Sequence, residues 1–114
     1  MSNNNPIKLG RDKNRLNKIE KHIHENIATD LHIDTIAQKF SISPSTLKLL
    51  FRHCEGKSYR QYLEEIRLAK ALQLLQEENA SVKQAMYASG YRNRSTFNEA
   101  FKKKHGHSPA YFMK

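Results

Sequence analysis

The chain has 114 residues, with 20 Lys and Arg against 11 Asp and Glu, which gives a formal net charge of +9 with histidine neutral. A chain of this length buries roughly two-thirds of the surface that its unfolded form exposes, which builds one compact core and excludes a multidomain enzyme. The positive charge favours a nucleic-acid partner first, an anionic membrane second and an acidic protein third.

Turn residues separate short helical patterns along the chain, and no segment alternates apolar and polar residues with period two. We therefore expect an all-α fold of about seven helices. Residues 3–11 are mostly polar, and residues 1–11 are interpreted as a flexible leader. The first helix, over residues 12–27, carries apolar side chains on one face, at Leu16, Ile19, Ile23 and Ile27. A short second helix covers residues 33–40.

A serine followed by a proline marks the start of the third helix. We expect Ser43 to cap this helix and Pro44 to be its first residue. The helix runs to about Cys54, and Gly56 ends it.

A long fourth helix is predicted from Ser58 to about Glu78, because Ser58 and Gln61 have the spacing of a capping box. Its apolar residues cover more than one stripe, so the helix must be covered on more than one side. In so short a chain the cover comes from the segments before and after it. We therefore predict that this helix is a spine shared by both halves.

The remaining helices are predicted from the same capping signals. A fifth helix opens at Ser81 and ends at Gly90, a sixth follows Asn93 and runs to Lys104, and a last short helix covers residues 110–114.

The two halves of the chain repeat each other. Ser41-Ile42 matches Gly90-Tyr91 at an offset of 49, so the second turn is one residue longer. Each copy has a short helix, a tight turn with a small residue and a longer helix with exposed polar side chains, which is the helix-turn-helix pattern. Further matches have an offset of 50: Phe51, Gly56, Ser58 and Tyr62 correspond to Phe101, Gly106, Ser108 and Phe112.

Two such patterns in tandem resemble the DNA-binding domain of the AraC/XylS family of bacterial transcription regulators, over residues 19–114. The resemblance implies two helix-turn-helix subdomains, 12–57 and 80–114, bridged by a linker helix over 58–79. It also implies binding to double-stranded promoter DNA and contact with RNA polymerase. The motifs that carry it are residues 67–75 (RLAKALQLL), 88–91 (ASGY), Phe97, Phe101-Lys-Lys103, Gly106 and Ser108-Pro109.

The resemblance places two reading helices at residues 44–54 and 94–104, and two such helices on a rigid spine enter successive major grooves. By hydrogen-bonding pattern, Arg94 suits guanine, Asn98 adenine and Glu99 cytosine. The expected base-reading side chains are Ser45, Thr46, Lys48, Leu49, Arg94, Ser95, Asn98 and Glu99. The expected phosphate contacts are Ser43, Arg52, Arg92, Asn93, Lys102 and Lys103.

Four positions depart from the family pattern. An arginine that contacts bases or phosphates is frequent where this chain has Leu49, so the first reading helix either contacts a thymine methyl group there or reads less sequence. His32 stands where a Ser or Thr cap is usual. Met86 stands where a small alanine is usual, and Ala85 stands where a larger aliphatic residue is common. We interpret this as a compensating exchange of size in the core.

Several of these residues also have alternative roles. Arg94 could contact a phosphate or only solvent, and Glu99 could pair with Lys102 or Lys103 within its helix. The lysines at 102–104 could simply form a solvated face. The aromatic residues have core spacing and are not expected to stack on bases: Phe51, Tyr91, Phe97 and Phe101.

Other chemistry has little support in the sequence. The histidines at 22 and 24, and those at 105 and 107, are two residues apart and point to different sides of a helix. Cys54 is expected to be a small, half-buried side chain. Without a phosphate-binding loop or a nucleophile arrangement, we predict no enzyme activity, no metal and no cofactor.

The sequence has no run of about 18 apolar residues and no secretory signal, which predicts a cytoplasmic chain without a membrane partner. Its single cysteine agrees with a reducing compartment. We expect a monomeric domain that is either a stand-alone regulator or the C-terminal part of a longer one. The alternative function is a basic helical adaptor that binds an acidic protein or RNA.

Overall fold

The structure is a computed structural model that describes residues 9–113. This part of the chain contains six α-helices, one short 3₁₀ helix and no strand, which confirms the predicted all-α class. The helices are α1 (Leu9–Glu25), α2 (Ile33–Lys39), α3 (Pro44–Glu55), α4 (Tyr59–Glu77), α5 (Val82–Ala88), α6 (Arg94–His105) and the 3₁₀ helix (Pro109–Phe112).

The predicted ends of the chain differ most from the structure. The leader was expected to reach residue 11, but α1 already begins at Leu9, and residues 1–8 lie outside the described part. Asp12 is buried in the first turn of α1, where its negative charge favours the helix. The last helix is 3₁₀ in type because the Tyr111 N–H bonds to the Ser108 carbonyl three residues back, and residue 114 is again outside the described part.

The helix starts predicted from Ser43, Ser58, Ser81 and Asn93 are confirmed, whereas the predicted cap Ser108 makes no side-chain hydrogen bond to the last helix. Ser81 Oγ accepts a hydrogen bond from the Gln84 N–H at 3.1 Å, and Gln84 Oε1 accepts one from the Ser81 N–H at 2.8 Å. Ser58 and Gln61 form the same reciprocal pair at the start of α4. His32 also serves as a cap, because its Nδ1 accepts from the backbone N–H two residues later.

The described residues divide into two compact units. The first consists of residues 9–26 and 31–63, and the second of residues 27–30 and 64–113. Helix α4 contributes to both, since the division falls between Leu63 and Glu64. The segment 27–30 follows α1 in the sequence but belongs to the second unit.

Each unit has an apolar core built from helix faces at the predicted spacing. In the first unit α1 contributes the buried Leu16, Ile19 and Ile23, and α3 contributes the buried Phe51. The core of the second unit joins α4, α5 and α6 through Leu68, Ala71, Leu75, Ala85, Met86, Phe97 and Phe101. The burial of Ala85 and Met86 places the exchanged pair in this core, and Tyr91 packs half-buried against it. None of the helices in the described part is long and apolar enough to cross a membrane.

Candidate nucleic-acid interface

The turn between α2 and α3 is closed by backbone hydrogen bonds. The Ile42 N–H donates to the Ala37 carbonyl at 2.9 Å, and the Ser41 N–H donates to the Gln38 carbonyl at 3.2 Å. Ser41 has a φ of +54°, in the left-handed region that a tight turn requires. These bonds fix the direction in which α3 leaves the turn.

Helix α3 buries one face and exposes the other. Its inner residues Leu47, Leu50 and Phe51 are fully buried. The outer face carries residues three and four positions apart that were predicted to contact DNA, and all of them are exposed: Ser45, Lys48, Leu49 and Arg52. The fold of the first unit therefore presents these predicted residues together on one helix face.

These outer residues line a concavity of about 570 Å³. Its lining is mainly apolar and includes Leu49, which is 48% exposed. Ile33 of α2 and three residues at the start of α4 complete the lining: Ser58, Tyr59 and Arg60. Lys48, Arg52 and Arg60 give this concavity three positive charges.

Arg60 belongs to this concavity although the sequence did not predict it. Its position two residues after Ser58, at the start of α4, could be read from the capping box. The sequence does not show that Arg60 lies near α3, because this nearness depends on the packing of two separate helices. Arg60 is exposed and adds a cation to the same concavity as Arg52.

The hydroxyl groups at the start of α3 are engaged with each other. Ser43 Oγ accepts from the Thr46 N–H at 3.1 Å and donates to Thr46 Oγ1 at 2.8 Å. Thr46 is half-buried, whereas Ser43 is exposed. In this arrangement the predicted phosphate contact Ser43 and the predicted base contact Thr46 stabilise the helix start.

The second turn repeats the bonds of the first. The Tyr91 N–H donates to the Met86 carbonyl at 3.0 Å, and the Gly90 N–H donates to the Tyr87 carbonyl at 3.1 Å. Gly90 has a φ of +97° and stands where the first turn has Ser41. The repeat predicted from sequence is therefore present in the backbone geometry.

Helix α6 exposes most of its predicted reading residues, and its opposite face is aromatic and buried. Phe97 and Phe101 are fully buried, and Asn98 is half-buried. Within the described residues, Glu99 forms no ion pair with the lysines of its own helix. The exposed members of the predicted set are Arg94, Ser95, Glu99, Lys102 and Lys103.

Two predicted phosphate contacts lie just before α6 and already have partners. Asn93 Oδ1 accepts from the Thr96 N–H at 2.9 Å and caps the helix. The Arg92 guanidinium donates to the carbonyl of Ala28 at 2.7 Å. Both side chains remain exposed to solvent.

The remaining candidate groups form no site. No three His, Cys, Asp or Glu side chains between residues 9 and 113 are grouped so as to hold a metal ion. His105 Nε2 lies 3.2 Å from the Leu68 carbonyl. Cys54 is half-buried, as expected, and burial raises the pKa of its thiol, which disfavours the reactive thiolate.

Comparison with known proteins finds the same type of domain. The family model described as a helix-turn-helix domain matches residues 36–114. The HTH-type transcriptional activator RhaS of Escherichia coli is 30% identical over 101 residues, which are 89% of this chain and 36% of that protein. The chain thus spans about a third of the length of the curated relatives it matches.

Solved structures show the same fold. A transcriptional regulator of Chromobacterium violaceum, described as an AraC-type DNA-binding domain-containing protein, has a TM-score of 0.79 and 27% identity, and the match covers 89% of this chain and 90% of that one. The DNA-binding domain of AdpA, solved with a target DNA, has a TM-score of 0.81 at 24% identity, covering 86% and 88% of the two chains.

Proposed function

Because the chain belongs to the AraC-type helix-turn-helix family of DNA-binding transcription regulators, we propose that it binds a specific duplex sequence through α3 and α6. Each helix enters a major groove, and the two grooves belong to successive turns of the DNA. A major groove about 12 Å wide admits one α-helix, so a single chain with two reading helices recognises two blocks of sequence.

The observation that carries this proposal is the repeated arrangement of exposed and buried helix faces. In both units the second helix of the motif buries apolar residues and exposes polar or basic side chains. Examples of the exposed side chains are Lys48 on α3 and Arg94 on α6. A polar outer face is common to surface helices, so the weight of the observation lies in its recurrence on the second helix of two tandem helix-turn-helix motifs.

The base-reading roles follow from hydrogen-bonding chemistry. Arg94 donates to O6 and N7 of guanine, Asn98 pairs with N6 and N7 of adenine, and Glu99 accepts from N4 of cytosine. Ser95 supplies an adaptable donor beside them. On α3, Ser45, Thr46 and Lys48 are donors, and Leu49 contacts a thymine methyl group.

Phosphate contacts position the domain on the duplex without reading its sequence. We assign this role to Arg52, Lys102 and Lys103, which are exposed cations near the ends of the two reading helices. Ser43 and Asn93, which cap the starts of α3 and α6, are also assigned phosphate contacts. Arg60 adds a further cation beside α3.

We further propose that the chain is a non-enzymatic regulator that acts in the cytoplasm. The domain binds as a monomer, since its two reading helices differ in sequence and suit an unsymmetrical site. Contact with RNA polymerase is part of the proposal because a relative is named as a transcriptional activator.

Selection from a random duplex library tests the function. We expect enrichment of two conserved blocks whose centres lie about 10 base pairs apart, one for each reading helix. An unenriched library, or tighter binding to single-stranded RNA than to any duplex, would contradict the proposal. The Arg94→Ala variant is the control, because it should lose preference at one position within one block.

A further inference from the structure

The second turn contains one residue that has no counterpart in the first. Helices α2 and α5 correspond at an offset of 49, whereas α3 and α6 correspond at an offset of 50. The hydrogen bonds of Ile42 and Tyr91 match, and the caps Ser43 and Asn93 match. The extra residue is therefore Arg92.

The Arg92 guanidinium binds backbone carbonyls on two segments of the second unit. Its Nη2 donates to the Ala28 carbonyl at 2.7 Å, and its Nη1 donates to the carbonyls of Tyr91 at 3.2 Å and Tyr87 at 3.4 Å. The guanidinium carbon also lies 5.8 Å from the centre of the Tyr87 ring. One side chain thus joins the end of α5, the turn and the segment 27–30.

The same segment is held by two further residues of the second unit. Arg67 Nη2 donates to the Thr29 carbonyl at 3.2 Å. Gly90 packs so closely against the Ile27 carbonyl that an added Cβ would overlap it. The carbonyls of residues 27 and 28 therefore lie against the turn that leads into α6, and the carbonyl of residue 29 is bound from α4.

We propose that Arg92 is a positioning residue for the second reading helix rather than a phosphate contact. It fixes the turn immediately before the cap Asn93, and thereby the start of α6, where Arg94 and Ser95 stand. A phosphate would have to compete with the Ala28 carbonyl for the guanidinium, and the displaced carbonyl would lose its charge-assisted bond. This inference rests on the proposed function, because it concerns how α6 is presented to DNA.

The Arg92→Lys variant separates the two roles, because lysine keeps the charge but lacks the planar fork that reaches several carbonyls. Binding is measured over a range of salt concentrations on a duplex selected from the random library and on a scrambled duplex. We expect about tenfold weaker binding to the selected duplex, nearly unchanged binding to the scrambled one and an unchanged salt slope.

Lys103→Gln is the matched control for a phosphate contact. It should weaken binding to both duplexes and make the slope of log K against log salt shallower by about 0.9. Normal binding by Arg92→Lys would overturn the inference. The inference would also be overturned if Arg92→Gln bound both duplexes equally more weakly and its slope of log K against log salt became as shallow as that of the control.

A second measurement requires no DNA. Amide hydrogen exchange in the free chain should speed up in Arg92→Lys at Thr96 and Phe97, whose N–H groups bond to Asn93, while Lys103→Gln leaves them unchanged. Unchanged exchange in Arg92→Lys would overturn the inference even if the wild-type chain binds DNA. If the wild-type chain selects no duplex, the proposed function fails, while the exchange data still report whether Arg92 anchors the turn.

Discussion

Replacing Gly90 by alanine adds a single methyl group where the second turn meets the segment 27–30. Gly90 has a φ of +97°, a backbone conformation that residues with a side chain rarely adopt. The new Cβ would overlap the Ile27 carbonyl and lie 2.7 Å from Arg67 Nε. The arginine can move aside, but the carbonyl can move only with its backbone.

The expected cost has two parts. Left-handed backbone costs an L-residue about 1–2 kcal/mol. Forcing a methyl group into a filled space costs about 1–3 kcal/mol more. The free energy of unfolding should therefore fall by about 2–5 kcal/mol, which is a large part of the stability of a small domain.

Gly106→Ala is the matched control for the conformational part. Gly106 has a φ of +84°, but no atom lies within 4 Å of its added Cβ, so only the backbone cost applies. Urea unfolding followed by circular dichroism should show a loss for Gly90→Ala that exceeds the control by at least about 1 kcal/mol. Equal losses in the two variants would refute the close approach of Gly90 to the Ile27 carbonyl.

Three further predictions concern the core, the pH dependence and the binding surface. Leu68→Asp places a charge in the core of the second unit and should cost more than about 3 kcal/mol. Because α4 runs through both units, we expect one melting transition at lower temperature, and two separate transitions would contradict the shared spine. Burial, together with the hydrogen bond to Glu55 and its charge, raises the pKa of Glu20 to about 7. The folded state then retains a proton that the unfolded state has lost, so stability should fall as the pH rises from about 4.5 to 7. Glu20→Gln should abolish this fall, while the control Glu25→Gln preserves it. If the urea midpoint of the wild-type chain did not change with pH over this range, the result would argue against the carboxyl pair. Arg94→Ala should weaken binding to the selected duplex by about 1–3 kcal/mol in a titration, whereas an equal loss on scrambled DNA would make Arg94 a phosphate contact.

The features that could be predicted from sequence depend on neighbours within one or two helical turns. Ser43 with Pro44, and Ser81 with Gln84, determine where helices begin because their bonds reach only three residues along the chain. Core positions such as Leu68 follow from helical spacing in the same way. These local signals are also why the family resemblance could be recognised.

The features that could not be predicted join residues that are distant in sequence. The contact of Arg92 with Ala28 spans 64 positions, and nothing near either residue indicates it. Arg60 shares a concavity with α3 only because α4 packs beside that helix. The Glu20 and Glu55 carboxyls likewise meet through the packing of α1 on α3, so the raised pKa of Glu20 has no local signature.

The two helices that we propose to read DNA should differ in how they discriminate among bases. Arg94, Asn98 and Glu99 on α6 each match the donor and acceptor pattern of one base, and the turn before them is fixed by an arginine that the first turn lacks. The corresponding face of α3 has the apolar Leu49 among cations, which suits thymine methyl groups and phosphates. A hydrogen-bonded match rejects wrong bases more strongly than an apolar contact does, because a wrong base leaves polar groups unpaired. The block bound by α6 should therefore be the more strictly conserved of the two in selected duplexes, and the block bound by α3 the more permissive.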